Sequence, residues 1–421
     1  MYFQEKRGDK MQLTKTIKVQ LYPSASDIEK FEETQQQFLN ACNFVSTYIF
    51  DHDFELGQTT LHNALYHQIR QDFGLQSQMA QSVMRTVIAR YKTVKTQFKQ
   101  KPKRYKDIHT GKYHTLYKDL YHLTKPLGFK QPVAVFVRNR NYTYHQDDTY
   151  SLTTNQGRIK VSCDKQHIDY LQQFSQNAYK FGQAELLCRK GKWFLHVSAS
   201  KEIDSPDETN IQRIVGIDRG LRQILTIADD TAHTTFYSGK SLMKKRRRFK
   251  KLRQSLQAKN TKSSRRRLKT IERRENRWMN DVNHQLSKTL VDRYGANTLF
   301  VVEDLTNVTF NTTHHRKQDV RYEHHSWRFF DFEEKLMYKA LESGSQVLKV
   351  SAQFTSQRCP KCESIDRANR QQDKHLFTCQ NCGYQSNDDR VAAINIQELG
   401  HRYLSSEKNP RFEKVVPIQN Y

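Results

Sequence analysis

Hydrophobic periodicity divides the first part of the chain into one strand followed by helices. Apolar and polar residues alternate from Leu13 to Tyr22, which predicts a half-buried strand that ends before a proline. Residues 24–26 can cap a helix that begins near Asp27 and continues to about Phe50. A second amphipathic helix is predicted from Gln76 to about Phe98, because its apolar residues recur at helical spacing. Residues 27–125 are therefore predicted to form a mostly helical lobe.

The pattern changes between residues 130 and 202, where short β-prone runs are separated by Asn, Gly and Asp turns. This alternation predicts an antiparallel barrel or sandwich. The strand near residue 13 is expected to join it, so that the helical lobe is an insertion in a β domain. The predicted β domain comprises residues 1–26 and 126–205.

Three carboxylates follow or precede strongly patterned segments in the second half of the chain. Asp218 and Glu303 each end an apolar, buried-type strand, and Asp389 precedes a helix-prone run. A single carboxylate at a strand end is more often a turn residue or a helix cap. Converging carboxylates, in contrast, hold two Mg²⁺ ions about 3.5–4 Å apart for phosphodiester cleavage. Hard oxygen ligands of this kind suit Mg²⁺ or Mn²⁺.

The cysteines fall into one paired group and three single residues. Two Cys-x-x-Cys pairs match a four-cysteine zinc ribbon: Cys359, Cys362, Cys379 and Cys382. Four thiolates leave the metal no open position, so we expect structural Zn²⁺. The scattered cysteines indicate a reducing compartment and are predicted to be small buried residues: Cys42, Cys163 and Cys188.

The charge balance indicates a polyanionic partner. The 421 residues carry 70 Lys and Arg against 44 acids, a net charge of +26. Nucleic acid is the default partner. A membrane surface is the alternative, but no apolar run approaches ~20 residues and no signal-peptide pattern opens the chain. A soluble, intracellular protein is therefore expected.

The positive charge is concentrated in residues 240–277, which hold 18 Lys or Arg and two acids. A solvated helix face is the plain alternative. Like charges at this density repel one another, however, and phosphates would neutralise them. The basic candidates for nucleic-acid binding are Lys244, Lys245, Arg246, Arg247, Arg248, Lys250, Lys251, Arg265, Arg266 and Arg267, with Lys101, Lys103 and Arg104 in a second segment that also contains an aromatic residue.

The order of the motifs resembles that of TnpB-type transposon-encoded nucleases and their descendants, the compact type V CRISPR effectors. The matching segments are Gly216-Ile-Asp-Arg-Gly-Leu-Arg, Val302-Glu-Asp-Leu, Thr355-Ser-Gln-Arg-Cys-Pro-Lys-Cys, Cys379-Gln-Asn-Cys-Gly-Tyr and Asp389-Arg-Val-Ala-Ala-Ile-Asn-Ile. This resemblance implies a RuvC-like site on an RNase H fold, with Asp218, Glu303 and Asp389 as the catalytic, Mg²⁺-binding acids. It also implies a zinc ribbon inserted before the third acid.

The third motif departs from the family at one position. The family usually has Asn two residues after the third acid, where this chain has Val391. Two further acids, Asp304 and Asp388, are neighbours of the second and third acids and are alternative ligands. Asp389 is preferred because it keeps the family's spacing to the Ala-Ala pair.

The resemblance gives a multidomain α+β fold with the following boundaries: a wedge β-barrel at 1–26 and 126–205, an inserted helical recognition lobe at 27–125, a RuvC-like α/β nuclease domain at 206–350 and 384–404, a zinc ribbon at 351–383 and a tail at 405–421. Four histidines, at positions 314, 315, 324 and 325, lie in a polar stretch. We expect a mobile lid there and no metal site.

The implied function is RNA-guided cleavage of DNA in a prokaryotic cytoplasm, in association with the nucleoid, by a monomer that binds a guide RNA and double-stranded target DNA. Such enzymes read a short flanking motif on the duplex. Amide side chains can read base edges, so the candidates for that reading are Ser77, Gln78 and Gln81. Two alternatives are an RNA-guided repressor without cleavage and a guide-free recombinase or transposase of the RNase H fold.

Overall fold

The computed structural model divides the chain into two compact units, Met1–Asp204 and Ser205–Tyr421. The structure describes residues 2–5, 10–100, 102–107, 110–145, 147–164, 174, 176, 178–204, 206–231, 233–305, 329–371 and 373–413. The predicted histidine lid and Lys101 lie outside the described residues. None of the helices in these ranges is long and apolar enough to cross a membrane.

Three helices of the first unit pack through their apolar faces: α1 (Ala25–Asp51), α2 (Gln58–Phe73) and α3 (Ser77–Gln100). Ser24 caps α1 as predicted, because its hydroxyl accepts the Asp27 amide at 3.2 Å. The predicted stripe of α3 is buried, and its Tyr91 hydroxyl donates to the Ser46 carbonyl at 2.9 Å. The two predicted helices are therefore confirmed, and α2 is an addition to them.

The strands of this unit are β1 (Tyr2–Glu5), β2 (Lys10–Tyr22), β3 (Lys103–Lys106), β4 (Tyr113–Leu116), β5 (Ala134–Phe136), β6 (Tyr142–His145), β7 (Thr149–Thr154), β8 (Gly157–Cys163), β9 (Lys180–Arg189) and β10 (Lys192–Asp204). Eight of them form one sheet in the order β5-β9-β10-β2-β8-β7-β6, with β1 paired to β2. β3 and β4 pair separately as a hairpin. In sequence, the helices α1 to α3 lie between β2 and β5, which belong to the same sheet. Whether this sheet closes into a barrel remains a prediction.

One of the three single cysteines differs from expectation. Cys42 and Cys163 are buried, but Cys188 is exposed. Cys188 lies near the end of β9, opposite Trp193 of β10, where the side chains of Cys188 and Arg189 leave the core. The prediction of burial is therefore wrong for Cys188.

The second unit contains β11 (Arg213–Arg219), β12 (Gln223–Ala228), β13 (Thr234–Ser238), α4 (Lys240–Lys259), α5 (Lys262–Ile271), α6 (Arg274–Tyr294), β14 (Thr298–Asp304), α7 (Phe329–Glu342), β15 (Gln346–Ser351), β16 (Arg370–Gln371), β17 (Leu376–Thr378), β18 (Gln385–Asn387) and α8 (Asp388–Leu404). Its central sheet has the order β13-β12-β11-β14-β15. β11, β14 and β15 are parallel neighbours, whereas β12 and β13 are antiparallel.

Both faces of the central sheet are covered, which explains why the middle residues of β11 and β14 are apolar on both sides of each strand. On one face, Val215 and Phe300 pack with residues of α6 and α7. On the other face, Ile214 and Val301 pack with residues of α8 such as Leu399. The strand ends that carry Asp218 and Glu303 are therefore fixed from both sides.

The contact between α8 and the sheet depends on two glycines. A Cβ atom at Gly216 would lie 2.3 Å from the carbonyl oxygen of Ala393, and one at Gly400 would lie 2.6 Å from Cγ2 of Val301. Real Cβ atoms do not approach this closely. The absence of a side chain at Gly216 therefore lets α8 cross β11 two residues before Asp218.

Candidate functional site

Parallel pairing brings the first two carboxylates together. Ile217 of β11 pairs with Val302 of β14, so the next residues, Asp218 and Glu303, lie side by side at one edge of the sheet. The first turn of α8 supplies Asp389. Burial, followed by the charges of Glu303 and Asp389, raises the pKa of Asp218 well above its ordinary value. The three predicted acids are half-buried, and the structure places them near enough for the charges of Glu303 and Asp389 to act on Asp218.

Glu303 is oriented through its side chain and its backbone. The Thr355 hydroxyl donates to Oε1 of Glu303 at 2.5 Å, and Arg219 donates to the Glu303 carbonyl oxygen. Burial raises the pKa of Glu303, while the Thr355 hydrogen bond and the Arg219 charge oppose that rise. Arg219 also pairs with the buried Glu333 of α7 at 3.1 Å. The position of Glu303 is thus set by neighbouring elements as well as by its own strand.

A buried asparagine of α8 fixes the segment that carries Thr355. The Asn395 amide nitrogen donates to the carbonyl oxygens of Thr355 and Arg358, both at 2.8 Å. Its amide oxygen accepts from Arg358 Nη1 at 3.0 Å. Sequence reasoning used this asparagine only as part of a motif. The signal that could have revealed its role is a polar residue among the apolar residues of a helix.

The structure distinguishes Asp389 from its neighbour Asp388. Asp388 is fully buried and accepts from Arg370 Nε at 2.9 Å, with His375 Nδ1 at 3.4 Å from its other oxygen. Asp389 is half-buried, and burial and the Asp388 charge raise its pKa. Asp388 is therefore engaged by the ribbon segment, whereas Asp389 is the member of the pair that acts electrostatically on Asp218.

The alternative second acid, Asp304, is an exposed residue at the end of β14. Successive strand residues point to opposite faces, so Asp304 and Glu303 diverge. Sequence reasoning missed Arg370, whose charge lowers the pKa of Asp218, Glu303 and Asp389. The local sequence contains no signal that would have identified Arg370, and not Arg367 three residues earlier, as the arginine that acts on the acids.

The carboxylate cluster fits a divalent cation. The charges of Glu303 and Asp389 add to the effect of burial in raising the pKa of Asp218, and burial raises the pKa of the other two carboxyl groups. A cation between the carboxylates would offset this repulsion, and the all-oxygen donor set suits Mg²⁺ or Mn²⁺.

The four predicted zinc ligands also come together. Their sulfur atoms all lie within 4.8 Å of one another, with Cys359 and Cys382 at 3.7 Å and Cys362 and Cys379 at 3.5 Å. Burial raises the pKa of the Cys359 thiol to about 12, so a thiolate there calls for a nearby cation. The thiolate donor set fits tetrahedral Zn²⁺.

The two cysteine knuckles have the same backbone geometry. The Glu363 amide donates to the Cys359 carbonyl at 2.9 Å, and the Gly383 amide donates to the Cys379 carbonyl at 3.0 Å. Glu363 and Gly383 both have positive φ angles, 63° and 70°. The chain therefore reverses in the same way after each Cys-x-x-Cys pair.

Val391, the departure from the family motif, packs into the zinc ribbon. It is fully buried in a cluster with Cys359, Phe377 and Cys379. Its side chain therefore belongs to an apolar core, where an asparagine amide would need hydrogen-bond partners.

Most of the predicted basic residues lie on the surface of α4 and α5. The exposed ones are Lys244, Lys245, Arg247, Arg248, Lys251, Arg265, Arg266 and Arg267, and Lys250 is half-buried. Arg246 differs, because only 1% of it is exposed and its Nε lies 3.6 Å from Glu275. Its position in the helix turns it toward the core, beside Met243. Arg246 is therefore not available on the surface.

The remaining predicted residues lie in the first unit. Ser77 is exposed at the start of α3. The amide oxygen of Gln78 accepts from Arg140, and that of Gln81 accepts from Arg85, both at 3.1 Å. Lys103 and Arg104 belong to β3.

Two family models match segments of the chain. Residues 196–309 match the model described as a probable transposase, OrfB_IS605, and residues 329–396 match the TNB domain of Cas12f1-like proteins. The curated CRISPR-associated endodeoxyribonuclease Cas12f1 of Sulfoacidibacillus thermotolerans is 32% identical over 49% of this chain and 50% of its own length. The putative RNA-guided DNA endonuclease InsQ of Escherichia coli K12 is 28% identical over 51% of this chain and 56% of its own length. The chain thus spans about half the length of the curated relatives it matches.

Solved structures share the mixed α/β, multidomain fold. A Cas12f1 protein, solved in a complex with single-guide RNA and target DNA, aligns with a TM-score of 0.57 at 15% identity, over 92% of this chain and 99% of that one. The mini-RNA-guided endonuclease CRISPR-Cas_phi3 aligns with a TM-score of 0.54 at 11% identity, over 96% and 94% of the two chains. The matched segments contain all three acids and all four paired cysteines. Over these segments the chain is therefore similar to TnpB-type transposon-encoded proteins and compact type V CRISPR effectors.

Proposed function

We propose that this protein is an RNA-guided DNA endonuclease that hydrolyses phosphodiester bonds with a RuvC-like, Mg²⁺-dependent site. The observation that carries the proposal is the placement of Asp218 and Glu303 side by side on paired strands, with Asp389 close enough for its charge to raise the pKa of Asp218. Such a cluster costs stability in a protein that does not bind a cation, and it occurs where catalysis needs one.

Each side chain of the site has a distinct task in this mechanism. Asp218, Glu303 and Asp389 would hold Mg²⁺, which when bound activates water and stabilises the leaving oxygen. Thr355 keeps one Glu303 oxygen engaged and so fixes the rotation of that carboxylate. Arg370 lies within electrostatic reach of all three acids and can neutralise a phosphate that approaches them.

The exposed faces of α4 and α5 are the proposed backbone-binding surface for the guide RNA and its heteroduplex with DNA. Lys244, Arg248 and Arg266 are three of the exposed basic residues on these helices. Bound phosphates would offset the repulsion among their positive charges. Arg246 is excluded because it is buried. The zinc ribbon is proposed to place the substrate strand near the acids, because α8 carries Asp389 and directly follows the ribbon in the chain.

We also propose that Ser77, Gln78 and Gln81 read the flanking motif. Each of the two glutamines has its amide oxygen engaged by an arginine, and the amide nitrogen of Gln78 is buried without a hydrogen-bond partner, so Gln78 would have to turn outward to donate to a base. Such donors suit acceptors on base edges. Substitution by alanine should change which flanking motif supports cleavage and leave cleavage of a pre-opened substrate unchanged.

The test is cleavage of guide-matched DNA by protein purified with its RNA. Asp218→Ala and Glu303→Gln should each abolish cleavage, whereas Asp304→Asn, one residue from Glu303 but exposed, should cut as the parent does. Equal cutting by Asp218→Ala and the parent would refute the site assignment.

Two alternatives have separate outcomes in the same experiment. Tight binding of matched DNA without cleavage in Mg²⁺ would identify an RNA-guided repressor. Cleavage that survives RNase treatment during purification would identify a guide-free recombinase or transposase. Sequencing of the co-purifying RNA identifies the guide.

A further inference from the structure

A hairpin in the first unit exposes a concentration of aromatic side chains. We call residues 103–107 and 110–121, which contain β3 and β4, the tyrosine hairpin. Five of the nine large apolar side chains that are exposed among the described residues belong to it: Tyr105, Tyr113, Leu116, Tyr117 and Tyr121. Tyr113, Tyr117 and Tyr121 are 63%, 66% and 68% exposed. Exposed apolar residues in such a cluster mark an interaction surface.

The hairpin does not use these side chains to build a core of its own. β3 and β4 pair in antiparallel register from Lys103 opposite Leu116 to Lys106 opposite Tyr113, and every residue of β4 is exposed. A two-stranded hairpin of this kind is only marginally stable in water. The ring of Tyr105 stacks on that of His114 across the strands, with centroids 5.8 Å apart. The side chains of Tyr113 and Tyr117 are therefore largely exposed to solvent.

The base of the hairpin is anchored to the helices. The ring of Tyr121 meets the ring of Phe54 edge-on, at a centroid distance of 5.2 Å, and its hydroxyl donates to the Asp53 carbonyl at 3.4 Å. Leu120 is buried beside them. The exposed part of the hairpin thus stands on a fixed support.

Charge identifies the class of partner. Residues 99–125 contain eight Lys or Arg, four Tyr and only two acids. Flat aromatic rings interleaved with cations match a chain that alternates flat bases and phosphates. A duplex would offer the phosphates but hide the base faces. Leu116 adds an apolar contact of the kind that a thymine methyl group accepts.

We propose that the tyrosine hairpin binds unpaired DNA by stacking bases on Tyr113 and Tyr117. The choice of DNA rests on the proposed function, since opening a target duplex releases a DNA strand of no fixed sequence. Stacking suits such a strand because every base has a face to stack. The binding itself requires neither a guide nor the carboxylate cluster.

The test is fluorescence anisotropy of the full chain with a labelled oligothymidylate of about 20 nucleotides at about 0.3 M salt, where phosphate contacts are weakened. The variant Tyr113→Leu/Tyr117→Leu should bind at least about fivefold more weakly than the parent. Tyr113→Phe/Tyr117→Phe keeps the rings and should bind within about twofold of the parent. Phe236→Leu, an exposed ring in the second unit, is the matched control and should also leave binding unchanged.

Several results would overturn the proposal. The proposal is wrong if the leucine variant binds oligothymidylate as the parent does, or if the phenylalanine variant loses as much affinity as the leucine variant. It is also wrong if the leucine variant loses as much affinity for a duplex probe, or more affinity for an oligouridylate of the same length. A change of mass in light scattering would instead identify the hairpin as a contact between copies of the chain. Far-ultraviolet circular dichroism checks folding. If the leucine variant does not fold, photo-crosslinking of the parent to an iodouracil-substituted strand decides, because adducts confined to peptides outside residues 103–121 would refute the site. None of these experiments measures cleavage. A negative result for the tyrosine hairpin can therefore be distinguished from a negative result for the nuclease proposal.

Discussion

The Nε atom of Arg370 lies 2.9 Å from Oδ2 of Asp388, and this ion pair joins the zinc ribbon to the first residue of α8. Asp388 has no solvent exposure, and His375 lies 3.4 Å from its other oxygen. The carboxylate beside the proposed third ligand therefore holds the arginine whose charge reaches all three acids.

Asp388→Asn should loosen this connection, because the amide keeps the size of the side chain and removes its charge. We expect a loss of about 1–3 kcal/mol in the free energy of unfolding and slower cleavage with unchanged DNA affinity. Urea unfolding and single-turnover cleavage measure the two effects. Asp373→Asn removes an exposed carboxylate from the same ribbon and should change neither. Identical behaviour of the two variants would contradict the positioning role.

Thr355→Val should remove the hydrogen bond to Glu303 while keeping the shape of the side chain. That bond lowers the pKa of Glu303, so its loss should raise this pKa. The acid limb of the pH–rate profile should then move to higher pH, and more Mg²⁺ should be needed for half-maximal rate. Thr355→Ser retains the hydroxyl and should restore both properties. An unshifted acid limb in the valine variant would argue against this contact.

Asp218→Asn should stabilise the metal-free protein at pH 8 and have little effect at pH 4. The folded state raises the pKa of Asp218, so it favours the protonated carboxyl and loses stability as pH rises from the ordinary aspartate range toward the raised value. Removal of the ionisable group should raise Tm by about 2–4 °C for each kcal/mol of relieved repulsion. Mg²⁺ should raise Tm of the parent at pH 8 more than that of the variant. Calorimetry in chelator and in Mg²⁺ tests both statements.

Gly216→Ala should destabilise the second unit, since the new Cβ atom would overlap the backbone of α8 at Ala393. Overpacking of this kind costs about 1–3 kcal/mol. Gly128→Ala is the matched control, because its Cβ atom would meet no atom within 4 Å. A variant at position 216 as stable as the one at position 128 would show that α8 shifts freely.

Val391→Asn, which restores the residue usual in the family, should weaken this particular ribbon. The amide would enter the cluster formed with Phe377 and two cysteines, at a cost of about 1–3 kcal/mol if it finds no partner. Zinc release to a chromogenic chelator should be faster than in the parent, and Val391→Ile should release zinc at the parental rate. Slower release from the asparagine variant would contradict the packing account.

Local pattern was sufficient to predict much of this molecule. The alternation at residues 13–22, the cap at Ser24 and the apolar stripe of α3 are local signals, and the structure confirms them. The cysteine spacing also predicts a cluster that the structure contains.

Other features depend on contacts between distant residues, which local pattern does not encode. Arg246 belongs to a basic run, yet it points inward because Glu275, 29 positions later, lies opposite it. Cys188 looks like any small apolar residue until its place near a strand end is known. Asn395 and Arg370 act on the site only through partners in other elements.

Because α8 contacts several other elements, segments of this protein cannot be exchanged independently with those of a relative. The helix packs on the sheet at Gly216, contributes Val391 to the cysteine cluster and secures Thr355 through Asn395. A zinc ribbon transplanted from a relative would meet a helix face shaped for a different partner. Chimeras that exchange residues 351–383 alone should therefore fold poorly, and exchange together with α8 is the smallest replacement that keeps these contacts matched.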